Sequence, residues 1–276
     1  MEAVALRRLI FSVLLALVML PMAAHAGTRC GAGHMPPTKV AAAAATAMRV
    51  VAELNRVDAP VALVARVGTD LSKQGLVYSH VGFALRDHAD GRWTVLHLLN
   101  ECGTDHSSLH AQGLVNFFAD DLVNQDARIV LLQPTLAQRL ADHLRRLPRN
   151  ALHQPAYNLI ARPGSADYQN STAGVLETLA AVMPASDLAN RRAAYAYART
   201  HGFQPDTIHI AYSKRLLGGL LSTNTIFTDH SVGTRLSGEY PVVTVRSILR
   251  YLQEQGHVLH EREWRNGKLQ AVPGPG

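Results

Sequence analysis

The stretch at residues 78–99 reads YSHVGFALRDHADGRWTVLHLL and carries the clearest structural pattern in the sequence. Apolar and polar residues alternate along it, and Asp90-Gly91 stands near its centre, a pattern typical of two antiparallel strands joined by a tight turn. On the first strand His80 and Gly82 share one face, while the apolar residues between them share the other. The apolar face is expected to pack in the core. His80 is expected to project from the more polar face, where Gly82 leaves room for an approaching group.

The second strand of this hairpin carries His97 on a face that can lie near His80. A histidine that acts as a general base needs a partner that orients its ring, and His97 is a candidate for that role. The spacing alone favours another interpretation, in which both are sheet histidines hydrogen-bonded to backbone or solvent.

Periodicity predicts the remaining elements. Helices are expected over 38–54 with Thr38 as N-cap, 109–124, 135–147, 170–183 and 188–200, and a last helix is capped by Thr244 and ends at Gln253. Strands are expected over 61–67, 76–86, 93–99, 127–132 and 207–212. Residues 213–240 show no clean period, and connections of that length often carry function. The sequence therefore predicts a single α+β domain with a small antiparallel sheet packed against helices.

Composition excludes several classes of protein. The chain has 276 residues, of which 47% are hydrophobic, so it is not wholly disordered. Lys plus Arg number 27 and Asp plus Glu 21, which gives a net charge of +6 without a basic run, so no nucleic-acid partner is expected. Two cysteines exclude a disulfide-dense mini-domain and a four-cysteine zinc site.

The N-terminus predicts export. Residues 1–26 have the order of a secretory signal peptide: Arg7 and Arg8, an apolar run over Leu9–Met22, and the cleavage site Ala24-His25-Ala26. A membrane anchor is the alternative, although the run is short for a span. The mature domain is then 27–270, followed by a disordered Pro/Gly tail at 271–276, with no transmembrane segment after signal removal. Its compartment is the periplasm or the exterior of the cell.

Export bears on the two cysteines, Cys30 and Cys102. An even number of cysteines in an oxidising compartment predicts a disulfide between them. The alternative is that Cys102 is a free nucleophile.

A second motif, YQNSTAGVLE at residues 168–177, runs from a polar turn into an apolar helix. Ser171 stands near the helix start, where free N–H groups can bind an oxyanion. The alternative is that Asn170 or Ser171 is simply the N-cap, since these residue types are favoured there.

The SHVGF strand, the following W-x-V-x-H strand and the later N-S-T helix start resemble the permuted papain-like hydrolases of the NlpC superfamily. The resemblance implies a permuted papain-like arrangement with His80 as general base, His97 as third residue and Ser171 at the nucleophile position. The family nucleophile is cysteine. A serine hydroxyl stays protonated and needs a true general base.

Longer stretches resemble an uncharacterised family of exported bacterial proteins, a domain of unknown function. They lie at residues 78–103, 113–122, 168–180 and 230–248. This resemblance implies export and a single domain but no activity.

Two functions follow as expectations. The first is an acyl or amide hydrolase acting on cell-wall peptides or acyl lipids. The second is a non-catalytic envelope protein that binds a ligand in the same cleft. The residues expected to contact the substrate are Tyr78, Asn170, Thr172, Lys214 and Arg215, although surface charge is the simpler role for the two cations.

No cofactor or metal is expected. A zinc site at His106 and His110, four residues apart, is a weaker alternative because no catalytic glutamate accompanies the pair. Asp229-His230 in the irregular stretch is another candidate for a base, and Asp120-Asp121 is interpreted as a solvated helix face.

Overall fold

A computed structural model describes residues 35–120, 122–146, 152–215 and 222–270. The expected signal peptide at 1–26, Cys30 and the tail at 271–276 lie outside these described residues.

The centre of the molecule is a seven-stranded sheet in which all neighbouring strands are antiparallel. Its strands are β1 (Val61–Arg66), β2 (His80–His88), β3 (Gly91–Asn100), β4 (Ser107–Gln112), β5 (Ala127–Leu132), β8 (Val258–Arg265) and β9 (Lys268–Gln270), in the order β4-β3-β2-β1-β5-β8-β9. A separate two-stranded sheet joins β6 (Asp206–His209) to β7 (Glu239–Val242). The expected α+β class is confirmed.

Helices cover both faces of the large sheet. They are α1 (Pro37–Leu54), α2 (Leu114–Ala119), α3 (Pro134–Arg146), α4 (Ser171–Val182), α5 (Arg191–Thr200), α6 (Val232–Ser237) and α7 (Val245–Glu254). Thr244 caps α7 as predicted, in a capping box with Ser247. Thr38 does not cap α1, because the helix begins one residue earlier with Pro37 in its first turn and Pro36 at the cap position.

The two faces of the sheet belong to different apolar clusters. Val81 and Phe83 pack with α3, α4 and α7, whereas Ala84 and Val95 pack with α1 and α2. The second face is the one that carries His80, so the prediction that His80 projects from a polar face was wrong. Alternation assigned the faces correctly, but it does not report that a helical layer covers each of them.

The predicted helix at 109–124 was also wrong in its first part. Residues Ser107–Gln112 form β4, which pairs with β3 in a register that places His110 opposite His97. Only Leu114–Ala119 is helical. Pairing along the edge of the sheet outweighed the helical spacing of the apolar residues.

The sheet is larger than predicted because the hairpin of β8 and β9 was not recognised. Asn266 and Gly267 form its turn, both with positive φ, as a two-residue hairpin loop requires. The stretch at 213–240 contains a 3-10 helix at Phe227–Asp229, then α6 and the start of β7. No helix of the described residues is long and apolar enough to cross a membrane.

Candidate functional site

A cavity of about 830 Å³ lies at the end of the large sheet, where β1 ends and β2 begins. Arg66 and His80 contribute to it from the strands. Asn170, Ser171 and Thr172 contribute to it from the start of α4. His80 and Asn170, which are 90 residues apart in the sequence, therefore line the same cavity.

A chain of hydrogen bonds fixes the protonation of His80. Its Nε2 lies 2.8 Å from Nδ1 of His97, and Nε2 of His97 lies 3.1 Å from Oε1 of Gln112. The amide oxygen of Gln112 only accepts, so Nε2 of His97 carries the hydrogen and Nδ1 of a neutral His97 accepts. His80 must then donate from Nε2, which leaves a lone pair on its Nδ1. His97 thus orients His80, as the sequence suggested.

Burial and a neighbouring cation keep both histidines neutral. Burial, with the positive charge of Arg66 as the next cause, holds the pKa of His80 well below its usual range. The same two causes lower the pKa of His97 to about 3. At neutral pH the pair therefore carries no charge.

Arg66 is almost fully buried and was not recognised from the sequence. Its guanidinium pairs with Asp120 at 2.6 Å, donates to the carbonyl oxygen of Phe117 and lies 4.6 Å from the centre of the Phe117 ring. Asp120 is therefore an ion-pair partner and not a simple solvated residue of a helix face, while Asp121 lies outside the described residues. An arginine that ends an otherwise apolar strand, VALVAR, was the available signal.

Gly82 does not leave room for a ligand beside His80. A Cβ at Gly82 would lie 2.7 Å from Cγ1 of Val95 and 3.0 Å from Cβ of His97. The space is filled by the neighbouring strand, so the glycine allows His97 to pack closely against β2.

Ser171 is the first residue of α4 and is 8% exposed. Asn170 is the N-cap, with Oδ1 accepting from the N–H of Ala173 at 2.8 Å, and its Nδ2 donates to the carbonyl oxygen of Leu159. The Thr172 hydroxyl donates to the carbonyl oxygen of Val243 at 2.7 Å. The capping interpretation thus applies to Asn170, and Asn170 and Thr172 hold the helix start in place.

Ser171 and His80 approach the cavity from opposite sides of the sheet. The His80 ring lies 5.9 Å from the Phe117 ring of α2, whereas α4 packs on the other face. Within the described residues the Ser171 hydroxyl forms no hydrogen bond with His80. The arrangement brings the two side chains to one cavity without joining them.

A second cavity of about 100 Å³ lies between α4 and the sheet, and Ser171 lines this one as well. Its surface is mainly apolar, with Leu98, Leu109 and Val175 among its walls. Ser171 therefore borders both the larger cavity and the smaller, more strongly apolar one.

Residues 53–252 match a family of uncharacterized proteins conserved in bacteria, DUF2145. The chain belongs to this family. The matched region contains His80, His97 and Ser171, and therefore the site. Comparison with curated proteins and with solved structures finds no match.

Of the remaining residues that were predicted to contact the substrate, some line the larger cavity and others do not. Tyr78 lines the larger cavity, but its hydroxyl donates to Glu263 at 2.8 Å. Lys214 and Arg215 line neither of the two cavities, and Arg215 instead donates to the backbone carbonyl of Arg235. Cys102 lies at the larger cavity. Its predicted bridge stays a prediction because Cys30 lies outside the described residues.

The alternative candidate at Asp229 and His230 has a structural role. Asp229 accepts from the Arg162 N–H and the Ser165 hydroxyl, both at 2.7 Å, and Nε2 of His230 lies 2.6 Å from the carbonyl oxygen of Ile160. These bonds fix the loop that precedes α4.

The zinc alternative has no structural support. His106 precedes β4 and pairs with Asp105, and His110 lies within β4, so the two do not share a helix. In the described part of the chain no group of three or more His, Cys, Asp or Glu residues could hold a metal ion.

Proposed function

We propose that this DUF2145 protein binds a ligand with an amide group in the larger cavity. The observation that carries this proposal is the chain of short contacts from Gln112 through His97 to His80, which assigns the hydrogen of His80 to Nε2. A neutral imidazole with its lone pair on Nδ1 accepts a hydrogen bond from a ligand N–H or O–H group.

The start of α4 supplies the complementary donors. Asn170 satisfies the N–H of Ala173, while the N–H groups of Ser171 and Thr172 have no hydrogen-bond partner among the described residues. Such groups at a helix N-terminus bind carbonyl oxygens and anions. An amide offers a carbonyl oxygen to this wall and an N–H group to His80, so its two ends match the two sides of the cavity.

The electrostatics of His80 favour binding over catalysis. A general base becomes positively charged when it takes a proton, and the charge of Arg66 opposes this change. The partner of His80 is the neutral His97, which carries no negative charge to stabilise an imidazolium. A hydrogen-bond acceptor needs no such change of charge.

Hydrolysis is the second candidate. It is favoured by the position of Ser171, whose hydroxyl has no competing hydrogen bond in the described part of the chain and lines the same cavity as His80. Hydrogen bonds of a catalytic site are often long without substrate. In this role Ser171 would attack the carbonyl carbon and pass its proton to His80, with His97 orienting the ring.

The order of elements supports a permuted papain-like arrangement as part of this second candidate. The strands with His80 and His97 precede α4, and α4 packs against both of them. Residues 1–26 are predicted to be a signal peptide, and cell-wall peptides and acyl lipids are the ligands that would fit an exported protein of this kind.

The test uses the purified mature chain and two probes. Binding of N-acetyl-alanine methylamide is followed by NMR shifts, and hydrolysis of p-nitrophenyl butyrate is followed by absorbance. We expect saturable binding that weakens about tenfold or more in His80→Gln, since one buried hydrogen bond is lost. His209→Gln is the control, because His209 is exposed and paired with Glu239, and neither residue lines the cavity.

The outcomes separate the candidates. Binding without turnover in the wild type and in Ser171→Cys assigns a binding protein. Turnover that disappears in both Ser171→Ala and His80→Gln assigns a hydrolase. Absence of both binding and turnover refutes the proposal.

A further inference from the structure

The small cavity between α4 and the sheet has no role in the amide contacts described above, although Ser171 borders it. Several of its polar lining residues already have partners. His153 lies 3.0 Å from the Ser107 hydroxyl, His143 lies 3.1 Å from Asp187, and the Gln169 amide donates to Glu177 at 2.6 Å. With these groups engaged elsewhere, the walls that remain are chiefly apolar.

Gly174 keeps this cavity open. A Cβ at Gly174 would meet Nε2 of Gln169 at 3.5 Å and Cδ1 of Leu98 at 3.7 Å, which are ordinary contact distances. A glycine inside a helix costs about 1 kcal/mol relative to alanine. Neither packing nor backbone conformation requires glycine here, since alanine fits and no positive φ is involved. What the glycine provides is space in the wall of the smaller cavity, beside Gln169 and Leu98.

We infer that this cavity binds a short aliphatic group of the ligand, such as an alkyl side chain or a short acyl chain. The inference rests on the proposed function, because it assigns the apolar part of a ligand whose amide group lies in the larger cavity. An apolar cavity of about 150 Å³ holds a benzene molecule. A volume of about 100 Å³ therefore holds about four carbon atoms.

The first arm of the test examines the cavity alone. Linear alcohols from ethanol to hexanol carry no amide, and their binding is followed by NMR shifts of the Leu98 and Val175 methyl groups. We expect affinity to rise about fourfold for each methylene up to butanol, as burial of apolar surface predicts, and to fall at hexanol. Affinity that does not depend on chain length would overturn the inference.

Matched variants locate the binding. Gly174→Ala should lower the ratio of butanol to ethanol affinity at least fivefold, because the new methyl group occupies the space. Gly233→Ala is the control, since Gly233 also lies in a helix and a Cβ there meets only the Ser231 hydroxyl, at 3.9 Å. Leu109→Ala should enlarge the cavity and shift the preference towards hexanol. Equal ratios in Gly174→Ala and wild type would exclude this cavity.

The second arm separates this inference from the proposed function. The same variants are titrated with N-acetyl amino acid methylamides whose side chains grow from methyl to butyl. If alcohols bind and the amides do not, the cavity is confirmed and the proposed function fails. If the amides bind without dependence on side-chain length, the proposed function stands and the role of the cavity is refuted.

Discussion

The two cavities that meet at Ser171 differ in how the fold builds them. The larger one lies beyond the ends of β1 and β2, where backbone groups, His80 and the first N–H groups of α4 are available for hydrogen bonds. The smaller one lies between a helix and a sheet face, where apolar side chains meet. The comparison shows that the ends of strands and helices supply the polar contacts of the larger cavity. The packing between a helix and the sheet determines the shape of the smaller cavity.

The largest expected effect concerns the wall behind the smaller cavity. Glu177 is buried and accepts from Arg191 at 2.8 Å and from Gln169 at 2.6 Å, which fixes the residues before α4. Arg191→Leu leaves this carboxylate unpaired and should lower the free energy of unfolding by about 3–5 kcal/mol. Urea denaturation measures this change in the free energy of unfolding. Arg56→Leu, at an exposed pair with Glu53, should change it by less than about 1 kcal/mol.

Burial raises the pKa of Glu177 even though Arg191 lowers it. Without Arg191 the carboxyl group takes up a proton more readily in the folded state. The loss of stability in Arg191→Leu should therefore be greater at pH 8 than at pH 5, and a loss that does not depend on pH would contradict this account.

The next prediction concerns Cys102, which lines the larger cavity but not the smaller one. If Cys30 and Cys102 form the predicted bridge, replacing both with serine should lower the free energy of unfolding by at most about 4 kcal/mol. Mass measurement with and without reductant and alkylation establishes the bridge itself. Two reactive thiols in the exported protein would show that the prediction was wrong.

His80 and His97 should make the free energy of unfolding depend on pH, and the size of this effect is intermediate. The folded pKa values of His80 and His97 are lowered, so their contribution to stability is fully present above the unfolded value of 6.5 and is lost as the pH falls towards the folded values. Between pH 7 and pH 5, each histidine should lower the free energy of unfolding by about 2 kcal/mol. His97→Gln should remove its share of this slope, whereas His209→Gln at the surface should not.

The smallest effect is a gain. Gly174→Ala should raise the free energy of unfolding by about 0.5–1 kcal/mol through helix propensity, while it narrows the smaller cavity. Gly233→Ala should change stability in the same direction without altering ligand binding. A stability loss in Gly174→Ala would show that the space is already filled.

The sequence predicted most elements because their signals are local. The run of apolar residues at 127–132 and the Asp90-Gly91 turn gave strands and a hairpin that the structure confirms. Asn266-Gly267 is an equally strong turn signal, but the strands on either side of it are rich in charged residues and lack the apolar alternation that predicts a hairpin. Residues 109–112 were predicted as part of a helix from the spacing of their apolar residues, but they pair with β3 as a strand. Local patterns do not report such long-range pairing.

Sequence patterns indicated some residues of the candidate site, but they did not predict its geometry. Alternation placed His80 and His97 on one face, and the polar turn marked Ser171 as the start of a helix. Three features depend on long-range packing, and no pattern reports them: the buried charge of Arg66, the acceptor at Gln112 and the second cavity under Gly174. These three decide the protonation of His80 and the shape of the space around Ser171.

The position of β8 has a consequence for how the chain folds. β8 pairs with β5, with His260 opposite Leu131, although α3, α4 and α7 lie between the two strands in the chain. Strands β1 to β5 pair locally, but β5 keeps an open edge until the last part of the polypeptide returns to it. A nascent or truncated chain that lacks β8 therefore carries an exposed edge at β5, and such an edge can pair with a strand of another chain.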